Sequence, residues 1–448
     1  MKYDVVVVGG GAGGLTAALA LKSLRPDLRV LILRRTKLQP VPCSVPYITE
    51  TVGSVDGCLI PDAIVKNAGI DLVVDEVVEI DRARKLVKTA GGREFEYGKL
   101  VLATGAGPAR LNIPGIDLEG VVLVYKEYEQ LAKAIDSLKR AKRIVIVGGG
   151  FVGLEFADDL AKDREVHVVE VLDEVLALAF DREFGEIARK RLEEKGVKFH
   201  LKASVVEIKG RSRVEEVVLS TGETLPADAV LVSVGVSPNS QLAAKAGLAL
   251  DEFGHVVVDS YMRTSDPDIY AVGDVAQKKD YFTGKPVKAY FSSIAVAEGR
   301  VAAMHIAGAT PAKGFEGALP AFTAQLASSF FAAAGLTEAA ARRLGLNVVS
   351  ATVDSVYSHS GFLEGGAPKL FKVLLKAVFT KGDYRLVGVQ AMGPEAINEL
   401  MSYAVSAIKQ GLTAYDLASY PFASPPLWFR TPLTHPLQLV ALKVVTTA

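Results

Sequence analysis

Cysteine is scarce in this chain: 448 residues contain only Cys43 and Cys58. Two thiols cannot make a disulfide framework, and no metal site is expected. Net charge is also missing, because Lys plus Arg and Asp plus Glu number 51 each. No overall field recruits nucleic acid or an acidic membrane surface, so any anion must be bound locally. The N-terminus MKYDVVVVGG lacks the charged region, apolar core and cleavage site of a leader, which points to the reducing cytoplasm. No stretch reads as a membrane span. Gly317 to Thr337 carries no charge, but Pro320, Thr323, Gln325, Ser328 and Ser329 make it too polar to face lipid, and core packing is expected. The run from Tyr420 to Val440 holds Pro421, Phe422, Pro425, Pro426, Leu427, Trp428, Phe429 and Leu433. Its prolines forbid a continuous amphipathic helix, so a subunit interface is preferred to peripheral membrane contact.

What is present is a large apolar fraction, 50% of residues, on a chain long enough for about three domains. One local pattern occurs twice. Asp4 to Val8 reads as a buried parallel strand, followed by Gly9-Gly10-Gly11-Ala12-Gly13-Gly14 and a helix over Leu15 to Leu24. Arg143 to Val147, then Gly148-Gly149-Gly150-Phe151-Val152-Gly153, then Leu154 to Ala161 repeat each part. A single glycine turn is weak evidence, since such turns also form where helices merely pack closely on strands. Two copies in the same strand–turn–helix setting imply two dinucleotides, each with its pyrophosphate at a helix N-terminus. Gly9, Gly11 and Gly14, and in the second copy Gly148, Gly150 and Gly153, are the expected contacts.

The strand Glu165 to Glu170 ends in a carboxylate suited to the ribose of an adenosine. Asp173 and Glu174 add to an acidic setting that disfavours a 2′-phosphate, so NADH is expected ahead of NADPH. The first copy departs from this pattern, because its strand Arg29 to Leu33 runs into Arg34-Arg35 and no carboxylate stands at the ribose position. Arg34, Arg35 and Lys37 read either as a solvated turn or as a site for a phosphate-bearing substrate.

These motifs resemble the pyridine nucleotide-disulfide oxidoreductases, in the single-cysteine branch of coenzyme A-disulfide reductases, NADH oxidases, NADH peroxidases and sulfur or polysulfide reductases. The resemblance spans nearly the whole chain. It includes Leu100 to Ala106, Ser233 to Asn239 and Thr264 to Asp274. It implies an α/β protein with two Rossmann-like dinucleotide-binding domains, for FAD at 1–115 with 245–320 and for NAD(H) at 116–244. A C-terminal α+β dimerisation domain would occupy 321–448. Ala103, Thr104, Gly105, Gly235, Gly273 and Asp274 become cofactor contacts, with Asp274 on the ribityl chain of FAD. The resemblance also implies a homodimer whose last residues approach the partner's flavin. Leu370 to Phe379 and Tyr384 to Ala391 look like strands joined by a turn at Gly382-Asp383, and 394–409 looks helical.

Cys43 lies in Pro42-Cys43-Ser44-Val45-Pro46-Tyr47, which resembles the family's cysteine-centred turn opening a helix, with serine in place of the usual glycine. A thiol at a helix N-terminus is favoured as thiolate and hence as nucleophile. Cys58 has no such setting and reads as core. Ala12 stands where oxygen- and peroxide-handling relatives tend to carry histidine, which favours disulfide or sulfur chemistry. Phe151 matches an aromatic that covers the flavin until nicotinamide displaces it, or is ordinary packing. Glu155 matches a carboxylate near the nicotinamide, or a solvated helix face. The Tyr-Tyr-Pro-Gly-like stretch of coenzyme A-disulfide reductases is replaced by Phe362-Leu363-Glu364-Gly365-Gly366. Tyr420 is then the first choice of general acid, ahead of Tyr357 and His359.

The expected activity is reduction of a disulfide such as coenzyme A disulfide, or of polysulfide, by NADH through FAD and Cys43. The alternatives are a peroxide-forming NADH oxidase, a membrane-associated NADH or sulfide quinone reductase, and a flavoprotein that senses NADH.

Overall fold

The structure is a computed structural model that describes residues 1–360, 369–422 and 435–446. The chain forms two compact units, Met1–Val147 with Val205–Ala318, and Gly148–Ser204 with Leu319–Ala448.

The first unit is built on a seven-stranded sheet. Lys2–Val8 lies between Val30–Arg34 and Glu94–Leu102, parallel to both; Asp71–Val74 extends one side and Ile269–Ala271 pairs in parallel with Glu94–Leu102. Strands covered on both faces read as unbroken apolar runs, and Val5 to Val8 and Val30 to Leu33 are buried throughout. Glu94–Leu102 shows both regimes along one strand. Its first half alternates exposed Glu94 and Glu96 with buried Phe95 and Tyr97, where it pairs antiparallel with Leu86–Thr89; Leu100, Val101 and Leu102 are all buried where its neighbours are parallel. The helices Ala12–Leu24 and Ser292–Ile306 pack together at glycine. A Cβ on Gly299 would come 2.5 Å from the carbonyl oxygen of Gly13, a separation no larger residue permits. The same unit holds the parallel strands Val121–Leu123, Ala229–Val232 and Arg143–Val147, and the helix Tyr128–Arg140, which buries Leu131, Ile135 and Leu138 at helical spacing.

The second unit carries the helix Phe151–Leu160, the parallel strands Glu165–Glu170 and Lys198–Leu201, and the helix Arg182–Glu193. It also carries a five-stranded antiparallel sheet in the order Ala321–Leu326, Ser329–Gly335, Leu386–Gly393, Lys369–Thr380, Val348–Ser360. The uncharged stretch after Gly317 is thus a hairpin of this sheet. Its two-residue turn, Ala327-Ser328, takes positive φ at both positions without glycine, which is why no turn signal marks it. The helix Ile397–Lys409 packs on the sheet through Ile397, Leu400, Met401, Ala404, Ala407 and Ile408. Among the described residues no helix is long and apolar enough to cross a membrane. Most of the proline-rich run after Tyr420 lies outside them.

A buried charge cluster joins the two segments of this unit. Lys376 Nζ lies 3.1 Å from Asp181, 2.8 Å from Glu183 and 3.0 Å from Glu338. Asp181 also accepts hydrogen bonds from Gln390 Nε2 and from the amides of Glu338 and Ala339. Burial by itself raises the Glu338 carboxyl, but hydrogen bonds from Ser350, Arg342 and Lys376 outweigh it and bring it down to about 2. A carboxyl held below its ordinary value stabilises the fold at neutral pH, and that stabilisation is lost as pH falls from the ordinary range towards 2. Lys376→Met leaves three carboxylates facing one another. It is expected to cost about 3 kcal/mol at neutral pH, a deficit relative to wild type that narrows as the carboxyls protonate in acid, read by thermal melts of both proteins between pH 7 and 3.

Candidate functional site

Each glycine turn is shaped by what a side chain would strike. Gly9 has φ +116°, a conformation other residues rarely adopt, and a Cβ on Gly14 would overlap the carbonyl oxygen of Gly9. Gly11 caps the helix Ala12–Leu24 with no side-chain bond, and a Cβ there would meet no protein atom within 4 Å. The second turn repeats this design. Gly148 has φ +108°, and Gly150 caps Phe151–Leu160 without a side-chain bond and with the same open surroundings. Uncapped helix amides beside open space fit the pyrophosphate of a dinucleotide in both turns.

At the second turn Glu170 sits at the end of its strand. Its Oε2 accepts the Gly149 amide at 2.6 Å and its Oε1 accepts the Leu172 amide at 2.8 Å, so the carboxylate is locked against the turn. The acidic neighbours expected to help it are spent elsewhere. Glu174 is buried on Arg189 at 2.9 Å, and Asp173 pairs with Arg182 at 2.7 Å. Of the three expected carboxylates, Glu170 is the one held against the turn.

Ala103, Thr104, Gly105 and Gly235 are brought together. Thr104 Oγ1 donates to the Asn239 carbonyl at 2.7 Å, Asn239 Nδ2 donates to the Thr104 carbonyl at 3.0 Å, and Ala106–Pro108 pairs antiparallel with Val236–Pro238. Two chain passages far apart in sequence are tied side by side. Asp274 lies in the tight turn Gly273–Val275, its carboxylate 2.8 Å from Lys126 Nζ. Beneath that turn Glu298 is fully buried, accepting the Gly273 amide at 2.8 Å, with Lys278 Nζ 2.9 Å away. Lys278 also donates to the carbonyls of Gly273 and Ala276, so one ion pair grips both sides of Gly273. Burial pushes Glu298 up to about 7, against the pull of Lys278. Lys126, Lys278 and Glu298 belong to no motif. The available signal was Glu298 on the helix face that buries Ile294, Ala295, Val301 and Ala302.

Cys43 is exposed on a 3₁₀ turn, Pro42–Tyr47. A six-residue 3₁₀ turn has too few aligned amides for the dipole expected of a helix opening at the cysteine. Cys43 Sγ lies 3.5 Å from Oγ of Ser292, the first residue of the 15-residue helix Ser292–Ile306, whose hydroxyl can donate to a thiolate. Cys58 is buried, its thiol bonded to the Val55 carbonyl and pushed up by burial.

Other expected residues fall as follows. Phe151 packs edge-on against Phe322 and Phe180, with ring centroids 4.5 and 5.8 Å away, and stays partly exposed, as does Glu155. Arg34 is neither solvated nor available to a phosphate. It is buried, donates to the carbonyls of Thr36 and Lys37, and pairs with Asp62 at 2.7 Å, because the chain turns back over its guanidinium. Arg35 pairs with Glu127 and Glu76. Tyr420 is exposed, its carbonyl accepting from Gln438 Nε2. The side chains of Tyr357 and His359, and all of Phe362 to Gly366, lie outside the described residues.

Residues 3–305 match the family described as pyridine nucleotide-disulphide oxidoreductase, and residues 323–431 match the dimerisation domain of that family. The chain is 32% identical to an NAD(P)H sulfur oxidoreductase (CoA-dependent) of Pyrococcus abyssi, over 96% of each chain. It is 31% identical to an NADH oxidase of Methanocaldococcus jannaschii, over 97% of each. Among solved structures, an NAD-dependent persulfide reductase from A. fulgidus superposes with a TM-score of 0.87 at 33% identity, covering 100% of this chain and 83% of that one. With two glycine turns shaped for dinucleotides and both family segments in sequence, this chain belongs to the pyridine nucleotide-disulphide oxidoreductases, enzymes that work with FAD and NAD(P)H.

Proposed function

We propose that this enzyme uses NADH to reduce a disulfide of the coenzyme A type, or a polysulfide, through Cys43. The observation that carries the reading is the placement of an exposed Sγ against the first turn of Ser292–Ile306, a helix packed on the one that opens at the first glycine turn. FAD, when bound, passes the electron pair of NADH on to the sulfur chemistry. Gly9, Gly11 and Gly14 hold its pyrophosphate, Asp274 its ribityl chain, and Ala103, Thr104, Gly105, Gly235 and Gly273 form the surrounding backbone. Gly148, Gly150, Gly153 and Glu170 hold NADH, with Phe151 and Glu155 on the nicotinamide side.

The Cys43 thiolate attacks one sulfur of the acceptor, the acceptor's S–S bond breaks, and the first thiolate leaves. Two electrons then cleave the mixed disulfide, which restores Cys43 and releases the second thiol. In sum, NADH, one proton and one disulfide give NAD and two thiols. The homologous NAD(P)H sulfur oxidoreductase and persulfide reductase support this acceptor class. The M. jannaschii relative named NADH oxidase keeps oxygen as the second acceptor to test. The dimerisation segment supports a homodimer, in which Tyr420 is the first candidate for protonating a leaving thiolate across the interface.

Cys43→Ser is expected to abolish reduction of coenzyme A disulfide and polysulfide, while NADH still bleaches the flavin at a near-normal rate in anaerobic stopped flow. Cys58→Ser should change neither. Full turnover in Cys43→Ser with its best acceptor makes the cysteine structural and a quinone or oxygen reductase the better description. Glu170→Gln is expected to narrow the NADH over NADPH preference in kcat/KM by about tenfold, the scale of one charge-assisted hydrogen bond. Wild-type enzyme that prefers NADPH contradicts the assignment of Glu170.

A further inference from the structure

The two glycine turns can be compared position by position. In the second, a Cβ on Gly149 would lie 3.1 Å from Glu170 Oε2 and 3.2 Å from Glu170 Cβ, so the carboxylate ending the second strand stands directly against the turn. In the first, a Cβ on Gly10 would lie 3.2 Å from Arg34 Cδ and 3.7 Å from Arg34 Cβ. An arginine stem therefore occupies the place of the ribose carboxylate, and the next carboxylate along the chain is Glu50.

The head of that arginine supplies what the strand lacks. Arg34 Nε donates to the Thr36 carbonyl at 2.9 Å and Nη2 to the Lys37 carbonyl at 2.6 Å, while Nη2 also lies 2.7 Å from Asp62 Oδ1 and 3.0 Å from Oδ2. Its side chain is 6% exposed, and that of Asp62 is 36% exposed. The guanidinium is thus turned inward onto its own loop, and it holds Asp62, whose carboxylate is partly exposed to water. The Arg34 charge at the strand end is thus balanced by a carboxylate brought to it from 28 residues downstream.

We propose that Asp62, positioned by Arg34, is the carboxylate that binds the adenosine ribose of FAD in the first dinucleotide fold, accepting hydrogen bonds from its 2′- and 3′-hydroxyls. The proposal rests on the reading that the first glycine turn holds FAD. Glu170 serves its fold from the end of its own strand; Asp62 serves the other through an arginine adaptor.

The test measures flavin binding by fluorescence on full-length protein stripped of its cofactor and re-bound with FAD or with FAD lacking both adenosine ribose hydroxyls. Wild type should bind the dideoxy analogue about 10- to 100-fold more weakly than FAD, the scale of hydrogen bonds to a charged acceptor. Asp62→Ala should bind FAD with a similar loss and no longer distinguish the two flavins. Asp62→Asn, which keeps an acceptor oxygen beside Arg34, should retain part of the discrimination. Because the wild-type comparison needs no variant, a folding defect in Asp62→Ala does not rescue the idea. Equal affinity of wild type for both flavins overturns it and leaves the FAD reading intact, as does an Asp62→Ala protein that discriminates as wild type does. Absence of FAD binding by wild type overturns both.

Discussion

At Gly14 a side chain would overlap the carbonyl oxygen of Gly9, and at Gly9 the backbone takes φ +116°. A strand can hand over to a helix this abruptly only if nothing projects between them, and that constraint leaves the first helical amides uncapped beside open space. The second turn obeys it through Gly148 and Gly150. Two anion-binding helix starts follow, and with them a chain that handles two dinucleotides despite having no net charge. The positive potential these cofactors need comes from the backbone, so it never registers in the count of lysine and arginine.

The side chains around these turns keep the backbone in place as much as they meet ligands. Glu170 locks the second turn through the amides of Gly149 and Leu172, and the Glu298–Lys278 pair grips Gly273 from both sides. Burying an ion pair is costly unless its remaining hydrogen bonds are made; here Glu298 Oε2 and Lys278 bond the backbone of the turn that carries Asp274, and Glu298 Oε1 has only the Lys278 charge beside it. Cys43 follows similar logic. Its 3₁₀ turn is short, and its sulfur rests against Ser292, the first residue of a long helix.

Much of this was legible because period and punctuation agreed. The strands Arg143–Val147 and Glu165–Glu170 fall where the apolar runs placed them, and the strands Lys369–Thr380 and Leu386–Gly393 lie within two residues of expectation. The hairpin at Ala327-Ser328 was illegible because its turn uses positive φ without glycine. Long-range pairing was the other blind spot. Nothing in the sequence links Arg34 to Asp62, Lys376 to Asp181, or Glu298 to Lys278, so in a cluster that reads as a solvated basic turn or an anion site Arg34 is buried on Asp62 once the chain folds back, while Arg35 and Lys37 stay exposed. The acidic run after Glu170 misled in the opposite sense, since its charges are consumed by Arg182 and Arg189 on the following helix.

The central claim is that the substrate's sulfur is captured covalently by Cys43. Mixing the oxidised enzyme with NADH and excess coenzyme A disulfide, quenching with acid within a turnover and mapping the peptides by mass gives the direct answer. The account predicts one coenzyme A adduct, on the peptide containing Cys43, with Cys58 unmodified, and its disappearance once the disulfide is exhausted and NADH remains. Sustained turnover with coenzyme A disulfide and no adduct on Cys43 at any quench time would contradict it.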